Sequence, residues 1–137
     1  MRITREALLN VHEHAGEGYP YEICGALIAE RDTELVTRAR RMRNTVVERA
    51  RDRYEMDVRE QMQVERECDA AGQRVIGFYH SHPDHPARAS QTDAMRSWAG
   101  PIYLIVSCAN GKVVDGNAFR AEADGGPMHQ VPLEIVD

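Results

Sequence analysis

The stretch "GFYHSHPDHPARASQTDAM" (residues 77–95) decides how this chain is interpreted. It carries three of the chain's six histidines directly after an apolar run, "RVIGFYH" (74–80), that predicts a buried strand. Because side chains alternate along an extended segment, His80 and His82 point to the same side, about 6–7 Å apart by strand geometry. Two imidazoles on one side can converge on a single zinc ion. The exit of this strand is therefore a candidate metal site.

A zinc site needs further ligands, and the residues after the histidines supply a candidate. Zinc takes about four ligands, and catalytic sites leave one position for water. Pro83 and Pro86 bend the chain, so a following helix can return over the histidines and bring Asp93 to them. Ser90 and Asp93 also form an S-x-x-D capping pattern, which requires no function. The two interpretations are compatible, since a cap places both side chains at one helix N-terminus.

Length and composition restrict the class of protein. A chain of 137 residues predicts one domain with one core, and 42% hydrophobic with 28% charged residues is typical of a globular protein. The net charge of −5 gives no general attraction to nucleic acid or to an anionic membrane. The sequence shows neither a membrane-spanning run nor a signal-peptide pattern, so we expect a cytoplasmic location. The three widely spaced cysteines predict buried free thiols.

Hydrophobic spacing predicts interleaved helices and strands. Helices are expected over 5–15, with Thr4 as N-cap, over 58–72 and over 90–99. Strands are expected over 22–30, 33–44, 53–57, 74–80 and 102–108, with closing strands over 112–121 and 129–136. Single helices alternating with strands and hairpins predict an α/β protein, in which helices pack on a mixed sheet.

The full string at the strand exit is more specific than its parts. His80-Ser81-His82-Pro83, six residues, Ser90, two residues and Asp93 resemble the signature of the JAMM metalloproteases, the catalytic MPN domains. "PYEICGAL" (20–27) is similar to that family's glutamate segment, with Glu22 in the matching position. "RYEMD" and "GFYHSHP" are similar to stretches of its bacterial members. The resemblance implies one JAMM/MPN domain over residues 1–137, with a mixed β-sheet flanked by helices in a cytidine-deaminase-like layering.

The resemblance also implies a site and a reaction. His80, His82 and Asp93 would bind one zinc ion per chain. Glu22 would hold the attacking water and move its proton, and Ser90 would donate a hydrogen bond to the oxyanion. The implied activity is that of a zinc metalloprotease, which hydrolyses a peptide or isopeptide bond without an acyl-enzyme.

The bacterial members that this chain resembles imply the substrate. They are associated with ubiquitin-like sulfur-carrier proteins, β-grasp proteins that end in Gly-Gly, and they release cysteine or a C-terminal extension. The expected partner is thus such a carrier or its C-terminal adduct, in cysteine biosynthesis, with no nucleic acid and no membrane; a homodimer is left open. We expect the tail to add beside an exposed strand edge, along the arginines of the 38–53 region and the segment "RYEMD" (53–57).

Alternatives remain open at this point. A JAMM peptidase with deubiquitinase-like or broad specificity, a non-catalytic MPN interaction module and a metal-storage or metal-sensing protein are the rivals. A zinc deaminase is excluded because H-x-E and P-C-x-x-C are absent. The arginine cluster is interpreted as a solvated hairpin or as a dock for an acidic partner.

Residues outside the signature are assigned no function. His12 and His14 are expected to be solvated, His85 to lie beside the zinc without binding it, and His129 to have no partner. Cys24 is expected to be a small core residue, and Met95 and Trp98 are expected to pack the short helix.

Overall fold

A computed structural model describes residues 1–46, 50 and 52–137. The strands are β1 (Arg2–Thr4), β2 (Cys24–Glu30), β3 (Leu35–Met42), β4 (Gln73–Pro83), β5 (Ile102–Ala109), β6 (Lys112–Ala121), β7 (Met128–Val131) and β8 (Glu134–Val136). The helices are α1 (Arg5–Gly18), α2 (Val58–Ala70) and α3 (Gln91–Met95).

The eight strands of the described residues join in one mixed sheet, in the order β7-β6-β5-β4-β2-β3-β1-β8. Strand β4, which carries the histidines, lies in the interior of this sheet. It is antiparallel to β2, with Cys24 opposite His80, and parallel to β5, with His80 opposite Ile105. The edges of the sheet are β7 and β8, so the exposed edge that the sequence analysis expects for the tail is not at β4.

Helices cover the sheet because alternate residues of each strand face opposite sides. Leu27 and Tyr79 join the apolar face of α1 in one cluster, whereas Cys24 and Ile28 join Val64 of α2 in another. Both helices begin at a capping side chain: the Thr4 side chain accepts a hydrogen bond from the Ala7 amide, as predicted, and the Asp57 side chain, in a segment predicted as a strand, accepts one from the Arg59 amide. The predicted mixed sheet with helices packed on it is confirmed.

Several predicted boundaries were wrong. The segment predicted as a strand over 53–57 forms only an isolated bridge between Met56 and Asn44. Helix α3 ends at Met95 rather than at residue 99, and β4 continues through His82 to Pro83. Strand β1 was not predicted at all. The three cysteines are buried and free, as predicted. None of the helices in the described ranges is long and apolar enough to cross a membrane.

Candidate active site

The end of β4 brings the two histidines together. His80 is only 1% exposed, and His82 is buried on the same side of the strand because β4 keeps its extended conformation to Pro83. Their Nε2 atoms lie 3.2 Å apart. The predicted convergence of the two imidazoles is therefore present in the structure.

Helix α3 brings Asp93 to the same point. Ser90 caps this helix: its hydroxyl accepts a hydrogen bond from the Asp93 amide at 3.0 Å, and the Asp93 carboxylate accepts one from the Ser90 amide at 2.9 Å. The same carboxylate lies 3.2 Å from His80 Nε2 through Oδ1 and 3.0 Å from His82 Nε2 through Oδ2. The capping box thus also fixes the direction in which Asp93 faces the histidines.

The distances between these atoms fit a zinc ion. A tetrahedral ion with metal–nitrogen bonds of about 2.0–2.1 Å separates its ligand atoms by about 3.3 Å. His82 Nδ1 donates to the Pro86 carbonyl at 2.9 Å, and this bond leaves the electron pair of Nε2 directed at His80 and Asp93. Two imidazole nitrogens and a carboxylate that converge at these separations form a donor set that zinc prefers, so His80, His82 and Asp93 could hold zinc.

Glu22 lies beside this group, just before β2. It is 5% exposed, and its Oε2 finds no hydrogen-bond partner within the described ranges. Its carboxylate lies within 4.8 Å of the ligand atoms of both histidines. Burial raises the pKa of the Glu22 carboxyl to about 7, with His82 opposing the rise and Asp93 and Asp52 adding to it. A carboxyl with this pKa can both accept and return a proton near neutral pH.

The three candidate ligands have pKa shifts in different directions. Burial lowers the pKa of His80. Burial alone would also lower the pKa of His82, but Asp93 and the Pro86 carbonyl outweigh it and the pKa is raised. Burial alone would raise the pKa of Asp93; hydrogen bonds with both histidines and the Ser90 amide hold it well below its usual range instead. Asp93 is therefore ionised, as a metal ligand must be.

Two residues that support the site had no role in the sequence interpretation. The Tyr54 ring stacks on His80, with centroids 4.4 Å apart and planes inclined by 26°. The Asn44 amide donates to the carbonyls of Glu22, at 3.1 Å, and Arg53, at 3.0 Å. The resemblance of "RYEMD" to bacterial members was the signal for Tyr54, whereas no pattern indicated Asn44.

These groups open into a cleft of about 560 Å³. Glu22, His82, Ser90 and Asp93 line it, and His85 lines it without belonging to the group that could hold a metal. Three arginines also line the cleft: Arg53, Arg88 and Arg96.

The predicted arginine cluster is divided by the structure. Three arginines of β3 and its end form ion pairs: Arg40 with Glu60 and Glu67, Arg41 with Glu17, and Arg43 with Asp57. Arg38 instead donates to Gln73. Arg49 and Arg51 lie outside the described residues. Of the cluster, only Arg53 is described as lining the cleft, and the ion pairs of Arg40, Arg41 and Arg43 link β3 and its end to α1, to α2 and to the N-cap of α2.

Other residues that were assigned no function differ from expectation. His14 is not solvated: its Nδ1 lies 2.8 Å from the Tyr79 hydroxyl. His129 pairs with Glu122 at 3.0 Å. Met95 and Trp98 were expected to pack α3 but are 69% and 62% exposed; the helix ends at Met95, so Trp98 lies outside it.

The chain belongs to the JAB/MPN family: the family model described as prokaryotic homologs of the JAB domain matches residues 4–122. The predicted resemblance to JAMM/MPN domains is thereby confirmed, together with the fold. By this membership and the relatives below, the chain is a peptidase of the JAB/MPN type.

Similar proteins extend over almost the whole chain. It is 37% identical to the desampylase of Haloferax volcanii, over 98% of this chain and 96% of that protein. It is 34% identical to the CysO-cysteine peptidase of Mycobacterium tuberculosis, over 98% and 91%. A solution structure of a protein from Desulfitobacterium hafniense superposes with a TM-score of 0.84 at 26% identity, over 99% of this chain and 92% of that one.

Proposed function

We propose that this protein is a zinc-dependent peptidase that hydrolyses the bond after the Gly-Gly C-terminus of a ubiquitin-like sulfur-carrier protein and releases cysteine or a C-terminal extension. The observation that carries the proposal is the buried carboxylate of Glu22, whose Oε2 has no hydrogen-bond partner among the described residues, within 4.8 Å of two histidines that converge on Asp93. The name of one relative, CysO-cysteine peptidase, supports the kind of substrate. Residues 1–137 would act as one domain.

His80, His82 and Asp93 would hold one zinc ion per chain. When bound, zinc lowers the pKa of a water ligand toward about 7 and polarises the carbonyl of the scissile bond. The donor set of two imidazoles and one carboxylate, with a position left for water, is typical of catalytic rather than structural zinc sites.

Glu22 would move the proton in both halves of the reaction. It accepts a proton from the attacking water as the water oxygen bonds to the glycine carbonyl carbon. It then gives this proton to the leaving nitrogen as the carbon–nitrogen bond breaks, which produces a carboxylate on the carrier and a free amine. A pKa of about 7 supports both transfers, because neither protonation state is strongly favoured at neutral pH.

Ser90 would stabilise the negative charge on the former carbonyl oxygen. Its hydroxyl oxygen accepts from the Asp93 amide, and its own proton has no acceptor in the part of the chain that the structure describes. This leaves the proton available for an oxyanion in the cleft, which Ser90 also lines.

The carrier's tail would enter along the cleft. Strand β4 is hydrogen-bonded to β2 on one side and to β5 on the other, so the tail does not extend the sheet there. Glycines at the last two positions carry no side chain, so the backbone can approach the site closely.

A peptidase with the same chemistry and a different specificity, deubiquitinase-like or broad, is the second candidate. The relative named desampylase favours it, because its identity to this chain is 37% against 34% for the CysO-cysteine peptidase.

An intact-mass assay separates these functions. A β-grasp carrier that ends in Gly-Gly-Cys is incubated with the zinc-loaded protein, with and without a chelator, beside casein. We expect loss of the cysteine alone, no degradation of casein and no reaction with chelator. An intact adduct with degraded casein would support the broad peptidase. No cleavage of either by a zinc-loaded protein would support the non-catalytic module.

A further inference from the structure

The cleft contains arginines that have no acidic partner among the described residues. Within residues 1–46, 50 and 52–137, neither Arg53, Arg88 nor Arg96 forms an ion pair, although each lines the cleft. This contrasts with the paired arginines of β3 and with a chain whose net charge is −5. The acidic residues that line the cleft are Glu22, Asp52 and Asp93. A zinc ion at Asp93 would add two positive charges, so the cleft favours an anionic group.

Arg96 is held in place for such a group. Its Nη1 donates to the Tyr54 carbonyl at 2.9 Å, and the ring of Tyr54 is the one that stacks on His80. A guanidinium has five N–H donors in a planar fork, and one bond to a neutral carbonyl leaves the others free to bind a carboxylate. Tyr54 therefore contacts both Arg96, through its carbonyl, and the candidate ligand His80, through its ring.

Arg53 and Arg96 are attached to the same part of the backbone as Glu22. Asn44 binds the carbonyls of Glu22 and Arg53 together, and the next carbonyl along the chain, that of Tyr54, receives Arg96. Glu22, Arg53 and Arg96 are thus tied to one wall of the cleft. Since Glu22 would return its proton to the leaving nitrogen, this is the wall that faces the leaving group.

We propose that Arg96, together with Arg53, binds the free α-carboxylate of the leaving residue. In a single amino acid joined to the carrier through its α-amine, this carboxylate lies one carbon from the leaving nitrogen. The site would therefore select carriers that end in one free amino acid over isopeptides to a lysine side chain, which has no carboxylate at that position. The inference rests on the proposed function and specifies its substrate class.

The test compares two carrier adducts that differ only at the terminal group. Both end in Gly-Gly-Cys, one as the free carboxylate and one as the carboxamide, so the contribution of the thiol cancels. Binding is measured to the zinc-loaded Glu22→Gln variant, which keeps the arginines, and hydrolysis is measured with the wild-type protein. We expect the carboxylate adduct to bind at least about tenfold more tightly, the usual gain from a charge-assisted bond.

Substitutions in the same Glu22→Gln background locate the site. Arg96→Gln and Arg53→Gln should each lower the carboxylate preference, and the double variant should bring it close to one. Arg59→Gln removes an exposed arginine of α2 outside the cleft, so it should keep the full preference. Arg88→Gln removes a charge of the cleft that is carried by the segment between β4 and α3. This variant should keep most of the carboxylate preference.

Equal binding of the two adducts would contradict the inference, and so would a carboxylate preference that survives in the double variant. An equal loss of preference in Arg88→Gln and Arg96→Gln would also contradict it, because it would indicate a general electrostatic attraction rather than a specific site. Failure of the proposed function gives a different result. The wild-type protein would then hydrolyse neither adduct, while a carboxylate preference that depends on Arg96 would still support the binding site.

Discussion

His82 uses both of its ring nitrogens, and this determines the chemistry of the site. Nδ1 donates to the Pro86 carbonyl, which leaves Nε2 for His80 and Asp93. The segment that carries Pro86 is itself fixed, because Ser107 donates to the carbonyl just before it and Asn117 to the carbonyl just after it. The sequence predicted the histidine and its direction, but the partners of Nδ1 depend on strands β5 and β6 and have no local pattern.

Ser90→Ala tests the proposed oxyanion donor. The substitution removes the hydroxyl that would stabilise the transition state, so we expect kcat to fall by about 10²–10³-fold. It also removes a helix cap, at about 1 kcal/mol of stability. Zinc content and the unfolding midpoint are therefore measured beside kcat.

Ser90→Thr is the matched control for this change. It keeps both the cap and the hydroxyl, so it should retain most of the activity. If Ser90→Ala kept its kcat while it kept its zinc, Ser90 would be a cap only.

At the scale of elements, the close pairing of β4 and β5 positions the histidines. Gly77 lies opposite Ile102, and a Cβ at this position would overlap the Ile102 backbone carbonyl. The sequence predicted both strands from their apolar runs, yet no periodicity shows how closely two strands approach. Strand β1 was missed for a similar reason: it has three residues, and its partners β3 and β8 are distant in sequence.

Gly77→Ala should destabilise the protein because the clash is with backbone, which cannot move as a side chain can. We expect a loss of about 1–3 kcal/mol, the usual cost of overpacking, from urea unfolding. Gly116→Ala is the control, since its Cβ would meet a Val106 side-chain carbon at 3.4 Å and the Ile105 carbonyl oxygen at 3.9 Å, both without overlap. Equal midpoints for the two variants would show that β4 and β5 can separate.

The contact between α1 and β4 should make stability depend on pH. Burial, aided by Arg41, lowers the pKa of His14 to about 4 in the folded protein, from an ordinary value of 6.5. Between these values the unfolded chain binds the proton and the folded chain does not, so this contribution to stability is full above pH 6.5 and is lost as the pH falls toward 4. Glu22, with its raised pKa, acts in the opposite direction.

Urea midpoints of the wild-type protein and His14→Gln, measured at pH 7 and pH 5, isolate this effect. The difference between the two proteins should shrink or change sign at pH 5, because the glutamine does not titrate. A difference that is the same at both pH values would mean that His14 does not stay neutral in the folded state.

At the scale of the whole molecule, the candidate site joins residues that are far apart in the chain: Glu22 just before β2, Asn44 and Tyr54, the end of β4 and the start of α3. The signature residues could be predicted because their spacing is specific. Arg88 and Arg96 could not be predicted, because arginines are frequent in this chain. Only the fold distinguishes the arginines that form ion pairs from those that line the cleft without one among the described residues.

Zinc should therefore stabilise the entire fold. A ligand that binds only the folded state at 100 times its Kd adds about 2.7 kcal/mol, so the unfolding midpoint should rise with zinc and fall with chelator. His82→Ala and Asp93→Ala should lose most of the zinc and of this shift, because two protein ligands hold zinc poorly. His85→Ala, which alters a cleft histidine outside the group, should keep both. A full shift in His82→Ala and Asp93→Ala would refute the ligand assignment.

The most direct test of the central claim is the rate at which zinc-loaded Glu22→Gln hydrolyses the carrier–cysteine adduct, measured at a zinc content matched to the wild-type protein. The amide has nearly the shape of the carboxyl but cannot accept a proton. We expect zinc to be retained and the rate to fall by at least about 10²–10⁴-fold, the usual contribution of a general base. Turnover like that of the wild-type protein, with zinc present, would contradict the account.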